Sequence, residues 1–342
     1  MSYEQDAHQG RVAVLPDRSP QPQQSPSRFR RYGLPFVLLC ISVVTTTAIG
    51  ARYMQNFRDG LPTVVAESDL WPWPWLIHQP SRFQLGWPFS LTLLTILLSH
   101  ELGHYFACKA HGIRCTLPWV LPAPTLSGTA GAVIQIRSRI PNRRALMDVG
   151  AYGPLAGYVV SLLAVVWGFL LSRPTAPGGV RPLINFGHPF TLTLIHNFLH
   201  SLAHSALGPA VPRFETALQH PILIAGWVGL FITALNLIPA GQLDGGHILF
   251  ALSPRWHRNI SRILPFVLLA FGFYFWIGWL FWGVLLWIPA MRHPPVPIAQ
   301  PLGRRRFLAV ACLGVFLLTF AASPFTENSV RAYLHWPGSV RP

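Results

Sequence analysis

Several apolar runs in this chain approach the ~20 residues needed to cross the hydrocarbon of a bilayer, and they constrain its fold more than any other feature. They occupy roughly 33–50, 87–107, the stretch opened by Asp148, 221–240 and 307–320. Of 342 residues, 51% are hydrophobic and only 11% charged, a balance foreign to soluble domains. The net charge of +15 resides almost wholly in arginines, and these lie in short loops flanking the apolar runs. That distribution sets membrane topology, so the lipid bilayer is an expected partner and nucleic acid is not. Cys40, Cys108, Cys115 and Cys312 show no paired spacing and imply no disulfide framework. The expected fold class is an all-α polytopic membrane protein with six or seven transmembrane spans.

Residues 1–32 are rich in Gln, Pro, Ser and Arg and are expected to form a disordered cytoplasmic tail. The first apolar run begins too far from Met1 for a signal peptide and is long enough for a first span. Arg28, Arg30 and Arg31 just before it put the amino terminus on the cytoplasmic side. Residues 33–84 are then the first span and an outer loop, in which Trp71, Trp73 and Trp75 alternate with prolines and suit either an interfacial belt or a plain loop. Residues 85–255 form the membrane core, and 256–342 hold further spans and a tail. Within the latter, 263–291 reads as one long tilted span or as a hairpin broken near Gly278; the positive-inside rule, applied to Arg304, Arg305 and Arg306, leans toward the hairpin.

The second run contains His100, Glu101 and His104. Residues four apart on a helix differ by only about 40° of rotation, so both imidazoles leave one face and can bind one metal ion. Glu101 projects beside them without being placed as a third ligand, and a carboxylate there can take a proton from water and pass it to a leaving amine. Chance would place two of the chain's 14 histidines at this spacing now and then. Leaving three ionisable groups in an apolar span is nonetheless costly unless something binds or pairs them. Gly112 is expected to close this helix.

The basic segment 109–147 agrees with a cytoplasmic assignment and includes a glycine-marked turn entering 128–136, read as a small cytoplasmic-side β-hairpin or membrane-associated strand. A protease must hold its substrate extended, and an exposed strand edge does so by main-chain hydrogen bonds. An amphipathic loop on the bilayer is the plainer alternative. In the third span Gly153, Pro154 and Gly157 combine a kink with small residues that admit a close neighbouring helix. Outside, His196, His200 and His204 share a helical face, as an interfacial stripe or a second metal site. The fourth span leads into Asn236, Pro239, Leu243, Asp244 and Gly245, where Pro239 and the glycines interrupt the helix at the depth of the paired histidines. A tetrahedral catalytic zinc wants three protein ligands and an open position. Asp244 supplies the third from a facing helix; Cys108 and His247 compete for the role.

Together these residues resemble the site-2 proteases, intramembrane zinc metalloproteases with a His-Glu-x-x-His helix and a distant Asn-x-x-Pro…Leu-Asp-Gly helix. The resemblance covers roughly 85–255, including the Gly131-Ala132 strand and Gly153-Pro154. It implies one zinc ion per chain held by His100, His104 and Asp244, with Glu101 as catalytic carboxylate. Asn236 would hold the substrate or the developing oxyanion, and Gly131 and Ala132 would line the substrate. The implied substrates are single-span membrane proteins, cut near the cytoplasmic face after trimming by an upstream site-1-type protease. The simplest location is a bacterial plasma membrane, with a plastid membrane as the alternative. A rival class, a metal-handling transporter or inactive membrane scaffold, predicts polar ligands spread through several spans and an internal repeat. Neither is visible in the sequence.

Overall fold

The computed structural model describes residues 29–176, 178–202, 211–288, 291, 293–325 and 329–331. Most of the expected tail therefore lies outside the described residues, and its last part is helical: Phe29–Gly33 forms one wide helical turn that runs into the first helix. The order of elements is α1 (Leu34–Arg58), α2 (Trp73–His78), α3 (Trp87–Ala110), β1 (Trp119–Pro122), β2 (Thr129–Val133), α4 (Arg143–Leu171), β3 (Arg173–Pro174), α5 (Phe190–Leu202), β4 (Ala217–Leu218), α6 (Pro221–Asn236), α7 (Asp244–Leu252), α8 (Pro254–Tyr274), α9 (Gly278–Trp287) and α10 (Arg306–Thr319). The chain is mostly helical, and each of its two sheets is a single antiparallel strand pair, β1 with β2 and β3 with β4.

Two helices, Arg31–Arg58 and Arg143–Leu171, are long and apolar enough to cross a membrane; α6 and α9 are apolar but shorter. Helix α3 has 24 residues, and its apolar character is diluted by the polar groups of its second half. The stretch 263–291 is a hairpin: α8 ends at Tyr274, the chain turns at 275–277, and α9 packs back, with Gly272 and Gly283 allowing close approach to Leu280 and Pro265.

Helices α3, α4 and α6 pack on one another and form the centre of the molecule. Leu93, Leu97, Val165, Phe169, Leu223 and Leu230 are all buried in their shared core. What sets the α3–α4 approach is glycine. A Cβ at Gly103 would run into the Tyr152 carbonyl, and one at Gly153 would overlap the His104 ring. The two helices therefore meet backbone to backbone at the level of the histidines, as small residues in membrane helices permit.

The β1–β2 hairpin lies along α1. Ser42 Oγ donates to the Val120 carbonyl at 3.1 Å, Thr45 Oγ1 to Gly128 O at 2.6 Å, and Tyr53 Oη to Leu126 O at 2.6 Å. From Ser42 to Tyr53 is about 16 Å of helix at 1.5 Å per residue. Hydroxyls on one helix thus bond carbonyls of the hairpin, the Gly128 carbonyl accepting from the Ala123 N–H as well. At the far end of α1 the outer loop is pinned by Asp69, whose fully buried carboxylate meets Arg52 Nε at 2.6 Å and accepts from the Asn56 amide and the Val65 and Ala66 N–H groups. Trp75 packs between the guanidinium groups of Arg52 and Arg82, while Trp71 stays exposed.

Candidate metal centre

Helix α3 ends where the sequence marks it: Gly112, at φ +67°, follows the last turn. Two turns before that end, His100 and His104 leave the same face, and their Nε2 atoms stand 3.1 Å apart. The two residues are nearly closed off, 4% and 7% exposed, with Glu101 at 5%.

The opposing carboxylate is brought in by a break in the chain. Helix α6 stops at Asn236; the following turn places Gly241 at φ +60°, where its N–H donates to Ser261 Oγ and its carbonyl meets the His257 ring. A Cβ on Gly245 or Gly246 would strike the backbone of that turn, so only glycines let α7 start so close to the end of α6. The first residue of α7 is Asp244, in the first turn where a helix favours an anion. Its Oδ2 lies 3.3 Å from each of the two Nε2 atoms. Among the described residues these three form the one group of at least three His, Cys, Asp or Glu side chains whose ligand atoms converge within 4.8 Å.

The donor set fits a zinc ion: two imidazoles and a carboxylate on two facing elements leave a coordination position free, as catalytic sites do. A further feature agrees. His104 Nδ1 donates to the Val149 carbonyl at 2.6 Å, which fixes the ring with Nε2 directed at the group. Nothing in the side-chain pattern marks Val149, because its contribution is a backbone carbonyl. Helix α4 is itself held in place by Asp148, which pairs with His111 Nε2 at 2.7 Å and with Arg305 Nε at 2.8 Å.

Of the other residues singled out by sequence, Asn236 is adjacent, its Nδ2 3.4 Å from His100 Nε2. Gly131 and Ala132 sit in β2, paired with Leu121 and Val120, and β2 has no second strand partner among the described residues. The N–H of Ile134, just past β2, lies near the Glu101 carboxylate. Sequence spacing had no means of linking that amide to Glu101, 33 positions away. The two competing third ligands have other neighbours: Cys108 packs in a cluster with Cys115, and His247 Nδ1 lies 2.8 Å from His293 Nε2. On α5 the rings of His196 and His200 stack, and His196 Nε2 donates to the Val211 carbonyl; His204 lies outside the described residues.

Comparison with known proteins gives the same centre a context. The sequence profile of Peptidase family M50 matches residues 88–277, more than half of the chain and inclusive of all four groups. The chain is 36% identical over 235 residues to a rice (Oryza sativa subsp. japonica) protein described as probable zinc metalloprotease EGY1, chloroplastic, covering 66% of this chain and 39% of that protein. It is 30% identical over 231 residues to the Arabidopsis thaliana protein of the same description, covering 66% and 40%. It is 32% identical over 243 residues to a rice (subsp. indica) protein described as probable zinc metalloprotease EGY2, chloroplastic, covering 69% and 42%. The aligned region thus spans about two fifths of the length of these relatives.

Proposed function

This chain belongs to peptidase family M50, the site-2 protease family, and from that premise we propose that it is an intramembrane zinc endopeptidase cutting single-span membrane proteins near the cytoplasmic face. The convergence of His100, His104 and Asp244 beside a buried Glu101 carries the reading. These three side chains would hold one zinc ion, which when bound supplies Lewis acidity that polarises a carbonyl and acidifies water. Every other part is the work of the chain itself.

Glu101 serves as general base and then general acid, taking a proton from the attacking water and returning it to the leaving amine. The Ile134 N–H lies near that carboxylate and puts it close to the strand beside which the substrate lies. The substrate backbone, unwound at the site, pairs with the open edge of β2 at Gly131 and Ala132, so its peptide groups stay satisfied while its helix is lost. Asn236, next to His100, offers an amide donor to the substrate carbonyl as charge develops on it.

Six or seven spans fit large apolar side chains that face outward on helices beyond the two longest, among them Leu91, Phe106, Phe266, Phe281 and Phe307. Arg28, Arg30 and Arg31 support a cytoplasmic amino terminus. The membrane is a bacterial plasma membrane or, as the description of the relatives suggests, a plastid one. An upstream protease would trim the substrate first.

The test is cleavage of a single-span substrate by the purified zinc-loaded protein beside Glu101→Gln, with zinc measured in both. Cleavage by the wild type alone, with zinc equal in both, is the expected result. If neither cuts any of several helix-destabilised substrates, the enzymatic reading fails.

A further inference from the structure

A cavity of about 250 Å³ lies between the β1–β2 turn and α6, lined by Thr129, Ala130, Val228, Phe231, Ile232 and Leu235 among others. Its volume falls just below the roughly 300–1,000 Å³ of small-molecule sites and suits a bulky side chain. Its chemistry is apolar despite the hydroxyls around it, because each is turned to a backbone carbonyl: Tyr53 to Leu126, Thr125 and Ser127 to Thr129, and Thr129 to Leu121. The Trp227 Nε1–H on its wall is likewise spent on the Gly187 carbonyl. The hydroxyl protons are thus engaged, and most of the surface an occupant meets is apolar.

Two elements run from this cavity to the metal centre. On α6 the lining ends at Leu235, and the next residue is Asn236 beside His100. On the hairpin the lining ends at Ala130, and four residues on the Ile134 N–H meets Glu101. At about 3.3 Å per residue that is ~13 Å of extended strand. A substrate paired along β2 advances at the same rate, so a residue four or five positions from the scissile bond reaches the cavity.

We propose that this cavity is a specificity pocket for one bulky apolar substrate side chain, four or five residues from the cleaved bond. The proposal rests on the protease reading above. It makes selectivity depend on a position remote from the chemistry, read by α6 and the hairpin together.

The experiment uses the full zinc-loaded chain in phosphatidylcholine vesicles with a single-span substrate whose cleaved bond is mapped by mass spectrometry. Arginine is then placed in turn at positions two to seven on each side of that bond. The expected profile shows one position, four or five residues away on one side, where kcat/KM falls at least ~10-fold, the cost of a charge in an apolar pocket. Phe231→Ala should shift the preferred residue there from leucine to tryptophan and leave preferences elsewhere alone. A photo-crosslinking residue at position 130 should capture the substrate at that same position. A flat profile with cleavage intact, an equal effect of Phe231→Ala on every substrate, or capture of lipid alone overturns the pocket and leaves the protease standing. Absence of cleavage by the wild type, or cleavage that persists in Glu101→Gln, overturns the protease reading, and the pocket falls with it.

Discussion

Replacing Gly153 by alanine adds one methyl group where there is no room for it. A Cβ there would overlap Nε2, Cε1 and Cδ2 of the His104 imidazole. Restoring an ordinary contact of ~3.5–4.0 Å requires ring and helix to part by at least about 1 Å. The ring has no inexpensive retreat, since its Nδ1 is held by the Val149 carbonyl at 2.6 Å and Asp244 stands 3.3 Å from its Nε2. Helix α4 cannot yield either, being in backbone contact with α3 at Gly103. Overpacking of this kind costs ~1–3 kcal/mol. Disturbing the hydrogen bond behind a metal-binding histidine typically lowers metal affinity ~10–100-fold, about 1.4–2.7 kcal/mol. Gly153→Ala should therefore lose zinc affinity within that range. Gly157→Ala is the matched control, because its Cβ would stand 3.1 Å from His100 Cβ and Nδ1, a shortfall that small adjustments absorb; it should lose less than about threefold. The assay is zinc retained against graded chelator, with a circular dichroism spectrum to show that the helices persist. A folded Gly153→Ala protein that binds zinc like the wild type, or a Gly157→Ala protein damaged more than it, would refute the packing argument.

Asp244→Ala should weaken zinc binding by more than ~100-fold, as loss of one of three protein ligands does, and chelator titration read by metal analysis decides it. Burial alone would push the Asp69 carboxyl up, but the Val65 N–H, the Arg52 guanidinium and the Ala66 N–H outweigh it and hold it below the usual carboxylate range. Its contribution is thus present above the unfolded value of about 3.9 and is lost as pH falls through the folded one. Asp69→Asn should cost roughly 1–3 kcal/mol near neutrality and flatten that acid limb, as measured by unfolding in detergent from pH 7 to pH 3. Tyr53→Phe removes the bond to the Leu126 carbonyl at the hairpin tip and should cost about 1–3 kcal/mol, with faster hydrogen exchange at 122–130 than in the wild type.

Helical geometry is local, so four residues of spacing suffice to put His100 and His104 on one face, and no tertiary contact is needed to know it. The same locality makes Gly112 a stop and Pro239 with Gly241 a break, because backbone preference acts within a few residues. Asp244 was a candidate third ligand only because zinc chemistry limits the choice, and its competitors Cys108 and His247 lie against Cys115 and His293 in the fold. The hairpin was legible as turn and strand, but not its course along α1, which depends on hydroxyls of Ser42, Thr45 and Tyr53 finding carbonyls about 70 to 80 positions away. Nor did any residue type announce the Val149 carbonyl that orients His104 or the Ile134 amide near Glu101, since backbone groups are the same at every position. Sequence alone determined which side chains are candidates for the chemistry, through their identity and short-range periodicity. The tertiary structure decided which of them converge and what backbone surrounds them, because close packing of distant backbone segments leaves no periodic trace in the chain.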